Sequence, residues 1–135
     1  MATTLSKKAI DLLKKPVLAH VVTLMKDGSP QVTPVWVDTD GEYVLVNTAE
    51  GRVKTRNVRR NPHVAVSVVD AADNYVTLQV RGKVVDIITA GADAHIDKMA
   101  KKYLGKDTYP FRRSSEVRLI LKIKPERVGG SVAQA

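Results

Sequence analysis

The chain of 135 residues contains no cysteine, which excludes disulfide bonds, thiolate metal sites and a cysteine nucleophile. Aromatic residues make up only 4% of the sequence, so a surface that stacks single-stranded bases is disfavoured. No apolar run reaches the roughly 20 residues of a membrane-spanning helix, and no apolar signal region follows the N-terminus. From these absences we expect a cytoplasmic protein without a membrane span.

Positive charge is what the chain has in excess, with a formal net charge of +8 at pH 7. Such a field attracts nucleic acid, an acidic membrane face or a multiply anionic small molecule, and composition does not choose among them. Apolar residues make up 44% and charged residues 27%, as in an ordinary globular protein. The length predicts a single domain over residues 1–135.

Hydrophobic periodicity predicts three short helices and about six strands. The predicted helices span residues 6–15, 52–60 and 92–104, and the predicted strands span 17–26, 31–38, 43–48, 63–70, 75–88 and 116–124. Turn sequences of the hairpin type join most of the strands, and no strand–helix–strand alternation is present. We therefore expect a mainly β (α+β) fold, an antiparallel small barrel or sandwich.

Three features refine this prediction. Pro34 cannot donate a hydrogen bond to a neighbouring strand, so its strand should lie at a sheet edge or contain a bulge. Gly82 predicts a bulge or bend inside the long strand. The Gly129–Gly130 tail is expected to be loose.

The junction between the strand 43–48 and the following helix is rich in cations. A turn containing Gly51 leads into a segment with five Lys or Arg among the nine residues 52–60. A helix N-terminus offers unpaired N–H groups, Arg offers a planar fork and Lys a mobile charge, which together favour phosphate. The alternative is a solvated helix whose charges serve solubility. The position of the basic segment, after a strand and a glycine turn, favours a phosphate site over this alternative.

Trp36, the single Trp, ends the segment Thr33–Trp36. It is either an anchor of the core or of an interface, or its strand forms one wall of a slot for a ring. Pro34 leaves a position of the strand ladder unpaired, so main-chain groups nearby could meet the polar edge of a heterocycle.

Catalytic motifs are absent from the sequence. His20, His63 and His95 have no metal-ligand spacing, and there is no P-loop, GxGxxG or GxSxG motif. We therefore predict no metal site and no catalytic side chain. If the protein is an enzyme, a cofactor must carry the chemistry, and hydride transfer fits that requirement.

Two segments carry a family resemblance. Asp27–Trp36 and Arg52–Pro62 together resemble the pyridoxamine 5′-phosphate oxidase-like split-barrel superfamily, and more closely its branch that uses the deazaflavin coenzyme F420. The resemblance implies a six-stranded antiparallel split β-barrel (FMN-binding split barrel-like) with short flanking helices. It also implies a homodimer with cofactor sites at the subunit interface. The implied activity is that of a reductase, which transfers a hydride from the reduced deazaflavin to an unsaturated small molecule.

The resemblance also implies the cofactor-binding residues. Arg52 and Lys54 would contact the coenzyme phosphate, with Arg56, Asn57 and Thr48 close by. Main-chain groups of Thr33, Pro34, Val35 and Trp36 would line the deazaflavin ring. Tyr75 and Gln79 would approach the cofactor from the neighbouring subunit.

Three alternatives stay open. The protein could be an FMN-dependent flavoprotein of the pyridoxamine 5′-phosphate oxidase-like type, or a carrier that binds F420 without turnover. A basic nucleic-acid-binding barrel is a weaker alternative because aromatic residues are few. The phosphodiester and polyglutamate tail of F420 suit a chain of net charge +8 somewhat better than FMN does.

Overall fold

A computed structural model of the chain describes residues 3–133. These residues form three helices and seven strands. The elements are α1 (Lys7–Lys14), β1 (Leu18–Leu24), β2 (Pro30–Trp36), β3 (Asp38–Thr39), β4 (Val44–Ala49), α2 (Val53–Arg60), β5 (His63–Val69), β6 (Thr77–Ile88), α3 (Ala92–Leu104) and β7 (Arg118–Gly129). None of the helices within residues 3–133 has the length and apolar character needed to cross a bilayer.

The strands form one antiparallel sheet in the order β2-β1-β5-β6-β7-β4-β3. The sheet curls, because β2 at one end also contacts β4 near the other end. The result is the predicted split barrel, with seven strands instead of six. Its interior is filled mainly by Val and Leu side chains from alternate strand positions, as the period of two predicts.

The additional strand is β3, of which Asp38 was predicted as the last residue of the strand 31–38 and Thr39 was predicted to lie outside any strand. Asp38 and Thr39 are buried and pair with Leu45 and Val44. A strand of two residues has no periodicity of its own, so only its pairing with β4 identifies it.

The prediction of a loose tail was wrong for residues 129–133. β7 continues to Gly129, and beyond it the amide of Val132 donates to the Thr77 carbonyl oxygen at 3.2 Å. The Val132 side chain is buried. Gly130 allows the chain to turn there, with φ at +93°. Pairing with β6 extends β7 past the point where its alternating pattern weakens.

The predictions for Gly82 and Pro34 are both confirmed. The pairing of β6 with β7 shifts register between Arg81 and Gly82, and a Cβ atom at Gly82 would lie 2.0 Å from the Lys124 carbonyl oxygen. Pro34 lies on β2, the outermost strand at its end of the sheet. An edge strand has only one neighbour, and this is where a proline is tolerated in a sheet.

The helices begin and end near the predicted residues. The Ser6 hydroxyl caps α1 by accepting a hydrogen bond from the Ala9 amide at 3.0 Å. Gly105 ends α3 in the left-handed conformation with φ of 69°. In α2, the buried Thr55 hydroxyl donates to the Ala49 carbonyl oxygen at 2.8 Å, which holds the helix against the end of β4.

Candidate functional site

A cavity of about 290 Å³ opens beside the start of α2, the ends of β2 and β4, and the loop that follows α3. One wall of the cavity is apolar and the other is polar and basic. The apolar residues are Leu18, Pro34, Val35, Trp36, Ile96, Tyr109 and Phe111, and the polar residues are Asn47, Thr48, Arg52, Lys54 and Arg118.

Six of the eleven residues predicted to bind a cofactor line this cavity. They are Pro34, Val35, Trp36, Thr48, Arg52 and Lys54. The strand with the single Trp and the basic strand-to-helix junction thus face each other across one space. The sequence predicted both segments and assigned them the two halves of one ligand, and the curled sheet brings the two segments together.

Arg56 and Asn57 do not line the cavity, and the expected closeness of their side chains to a phosphate stays a prediction. Arg56 is exposed and donates from Nη1 to the Gly51 carbonyl oxygen at 2.8 Å. Asn57 is 1% exposed, and its amide donates to Thr23 Oγ1 at 3.0 Å. Asn57 therefore anchors α2 to β1.

The three other predicted residues also lie outside the cavity lining. Thr33 is half-buried next to it, and its hydroxyl is a buried oxygen without a hydrogen-bond partner among residues 3–133. Tyr75 precedes β6 and is 86% exposed. Gln79 is exposed on β6, opposite Ser67. The expected approach of Tyr75 and Gln79 to a second subunit's cofactor stays a prediction.

Lys54 is the electrostatic centre of the cavity. Within the described part of the chain its ammonium group makes no hydrogen bond and no ion pair. Burial lowers the pKa of Lys54, and the neighbouring positive charges of Arg52 and Arg118 lower it further. A half-buried cation beside two further cations is relieved by an anion. This arrangement supports binding of a phosphate or a carboxylate group.

The apolar wall contains three of the six aromatic residues of the chain, Trp36, Tyr109 and Phe111, and a fourth, Tyr103, packs against Trp36. Trp36 stacks on Tyr103 with ring centroids 4.9 Å apart and meets the edge of Tyr109 at 6.0 Å. Tyr109 in turn meets Phe111 at 5.6 Å. The Tyr103 hydroxyl donates to the Val17 carbonyl oxygen at 2.6 Å. Trp36 is thus an anchor held by its stacking partner and also lines one wall of the cavity. Both interpretations of Trp36 drawn from the sequence therefore apply.

The sequence between residues 5 and 131 matches the profile of the family described as pyridoxamine 5′-phosphate oxidase. The chain belongs to this family. The match covers nearly the whole chain and confirms the resemblance drawn from the two motif segments.

Solved structures agree with this family membership. A structure described as an F420 reductase has 33% sequence identity and a TM-score of 0.78, over 88% of this chain and 94% of that one. A putative pyridoxamine 5′-phosphate oxidase from Listeria innocua has 22% identity and a TM-score of 0.67, over 92% and 95% of the two chains. HupZ of Group A Streptococcus has 20% identity and a TM-score of 0.64, over 97% of each chain. The last two share the fold.

Arg118 is a cavity residue of this family member that the sequence analysis did not identify. Its side chain is 7% exposed and its guanidinium lies over the Tyr109 ring, 5.3 Å from the centroid. Its Nε donates to Asn47 Oδ1 at 2.9 Å. Arg118 looks like a solvent-facing strand residue in the sequence. Only its pairing opposite Ala49, at the end of β4, places it beside the basic junction.

Asn47 links Arg118 to a buried acid–histidine pair. The Asn47 amide nitrogen donates to the Ala92 carbonyl oxygen at 2.9 Å and lies 3.0 Å from His95 Nδ1. Because an amide nitrogen can only donate, His95 Nδ1 accepts, and Nε2 carries the proton toward Asp38 Oδ2 at 3.1 Å. His95 is therefore a polar residue at the edge of the core whose two ring nitrogens both have hydrogen-bond partners, and its carboxylate partner was not predicted.

Asp38 carries a fixed negative charge behind the cavity. Burial raises its pKa, but the hydrogen bond with His95, the amide of Thr39 and the charges of Lys98 and Lys14 together hold it well below its usual value. Among residues 3–133, no three His, Asp or Glu side chains come together as metal ligands would.

Proposed function

We propose that the protein is an F420-dependent reductase that binds the deazaflavin coenzyme in this cavity. One observation carries the proposal. Within residues 3–133 the ammonium of Lys54 has no hydrogen-bond or ion-pair partner and feels the positive charges of Arg52 and Arg118, at a cavity whose opposite wall is Pro34–Trp36, in a chain 33% identical to an F420 reductase. The family match and this neighbour by themselves indicate an oxidoreductase related to F420 or flavin.

The residues of the cavity fit a cofactor that has an acidic group and a flat ring. Arg52 and Lys54 would hold the phosphate, with the Thr48 hydroxyl as a further donor. The main chain of β2, an edge strand, would meet the polar edge of the ring.

In this proposal the side chains of the protein bind, orient and exclude water, and none acts as an acid, base or nucleophile. The bound cofactor supplies the hydride for an unsaturated small-molecule substrate. The stacked Trp36 and Tyr103 keep the ring wall rigid, so that the reacting face has a defined direction.

We also propose that the protein works as a homodimer. Leu18 and Val32, on the same outer face of β1 and β2, are 54% and 57% exposed. Exposed apolar side chains on one outer face of a sheet are typical of an interface. The same face includes Pro34 of the cavity, so a second subunit seated there would adjoin the cofactor. Tyr75 and Gln79 would then approach the partner's cofactor, as the family resemblance implies.

The deciding experiment is a titration of the purified protein with F420 and, in parallel, with FMN. Trp36 is the only Trp and lines the cavity, so quenching of its fluorescence reports binding at the site. We expect F420 to bind more tightly than FMN. Tighter binding of FMN would favour the FMN-dependent flavoprotein, and binding of neither cofactor would contradict the proposal.

Two further measurements separate the remaining alternatives. Reduced F420 that binds but is not consumed by any of a panel of unsaturated substrates would indicate a carrier. Binding to nucleic acid that falls steeply with salt, together with no response to F420, would favour a nucleic-acid-binding barrel.

A further inference from the structure

The carboxylate of Glu116 lies between two arginines at the cavity. Its Oε2 is 3.3 Å from Arg52 Nη2, and its Oε1 accepts from Arg118 Nη1 at 2.9 Å. The Glu116 side chain is 14% exposed. Burial raises its pKa, but Arg118 and Arg52 outweigh burial and leave the pKa below its usual value. Glu116 is therefore ionised at neutral pH and occupies a position between two cations that both line the cavity.

The two arginines differ in how firmly they are held. Arg118 has a 7% exposed side chain, and the amide of Asn47 fixes its Nε. Asn47 is itself held by His95 and the Ala92 carbonyl oxygen. The Arg52 side chain is 53% exposed, and among residues 3–133 its ion-pair partner is Glu116 alone. Arg118 is thus the fixed side of this gap, and Arg52 the adjustable side.

We propose that the gap between Arg52 and Arg118 is a second anion-binding position of the cavity, and that an acidic group of the ligand displaces the Glu116 carboxylate from it. This inference deepens the proposed function, because the proposed coenzyme is polyanionic. Lys54 and Arg52 would hold one acidic group, while Arg118 and Arg52 would hold the next one. Glu116 would then act as a built-in competitor that makes the site selective for ligands carrying more than one negative charge.

A single substitution tests this inference through the direction in which it changes ligand affinity. In Glu116→Gln the side chain keeps its size and one acceptor oxygen but loses its charge, so it competes less for the arginines. We expect the dissociation constants of F420 and of inorganic pyrophosphate, measured by quenching of Trp36 fluorescence, to fall about three- to tenfold. Arg118→Met should raise both constants by about tenfold or more.

The matched control is Glu126→Gln, which makes the same change in net charge at a residue that lines a different cavity. Its affinities should stay within about twofold of the wild type, in line with the screening of distant charges. An equal gain in both variants would mean that only global charge matters, and would overturn the inference. Unchanged or weaker binding in Glu116→Gln, with an unchanged melting temperature, would overturn it as well.

Failure of this inference can be distinguished from failure of the proposed function. If F420 binds the wild type but Glu116→Gln gives no gain, the inference fails and the proposed function stands. If F420 does not bind but pyrophosphate binds more tightly to Glu116→Gln, the anion position stands and the proposed cofactor is wrong. If neither probe binds the wild type or Glu116→Gln, both fail.

Discussion

At the residue scale, one charge of the cavity, that of Lys54, has no acidic partner among residues 3–133. Most lysines and arginines of a basic protein face water, where a salt bridge contributes little. Lys54 differs because it is half-buried and has only cations as charged neighbours. Arg59, one helical turn further along, forms a bidentate pair with Glu50 and is already neutralised. The proposed phosphate-binding role therefore rests on Lys54 and the cavity arginines, and not on the basic segment as a whole.

Lys54→Met should weaken the binding of F420. The substitution keeps the apolar stem but removes a charged donor, which should cost about 1.5–3 kcal/mol of binding free energy. Cofactor titration at fixed ionic strength measures the effect. Lys124→Met is the control, because it removes the same charge from an exposed position on β7 outside the cavity. Equal losses in the two variants would contradict the assignment of Lys54 to the site.

At the scale of elements, α3 holds three parts of the fold together. Lys102 donates from its ammonium group to the carbonyl oxygens of Leu13 in α1 and Val37 after β2, at 2.7 Å each. The adjacent Tyr103 donates to the Val17 carbonyl oxygen and stacks on Trp36. One turn of α3 therefore positions the apolar wall of the cavity. These contacts hold the Lys102 ammonium group partly away from water, so the stability of the fold should depend on pH.

The free energy of unfolding should rise with pH more in the wild type than in Lys102→Met. Burial lowers the pKa of Lys102 from 10.5 to about 8, although the charge of Asp38 opposes this shift. Between these two pKa values the unfolded chain binds more protons than the folded one, so stability increases with pH. Urea denaturation at pH 7.5, 9 and 10 measures the difference. A difference between the two proteins that stays constant over this range would contradict the lowered pKa.

Gly82→Ala should destabilise the fold through the pairing of β6 with β7. A Cβ atom would lie 2.0 Å from the Lys124 carbonyl oxygen, and neither backbone can move without breaking the register. We expect a loss of at least about 2 kcal/mol in the free energy of unfolding. Gly28→Ala is a useful comparison, because its Cβ would meet no atom within 4 Å and only its φ of +88° opposes the change. A larger loss at Gly28 would mean that the close approach at Gly82 is relieved easily.

At the scale of the whole molecule, the outer face of β1 and β2 is less polar than a chain with net charge +8 would suggest. The charges lie elsewhere, including the cluster at α2. Charge repulsion keeps basic proteins apart unless an apolar face offsets it. The proposed homodimer would cover that face and leave the basic cavity at its margin.

Val32→Glu should convert the proposed dimer to a monomer. A charge introduced on both copies of an apolar face leaves two like charges desolvated at the interface. Size-exclusion chromatography with light scattering measures the mass, and circular dichroism checks that the fold is retained. Val85→Glu, at an exposed valine on β6, is the control and should remain dimeric. A wild-type protein that is monomeric at micromolar concentration would contradict the dimer itself.

The local elements, and the two segments that face each other across the cavity, could be predicted from the sequence. α3 was predicted with both of its ends because its apolar stripe and Gly105 are local signals. The Ser6 cap and the basic junction before α2 were likewise visible, since capping and helix-terminus electrostatics act within a few residues.

Only the tertiary structure shows which further residues line the cavity and which residues support them from behind. Asp38, Asn47, His95 and Arg118 are far apart in the chain, and each is ordinary in its own segment. Strand pairing in a curled sheet and the packing of α3 against it bring them into one hydrogen-bonded series. The same long-range pairing created β3 and extended β7. Contacts between distant segments depend on register and curvature, which no local pattern encodes.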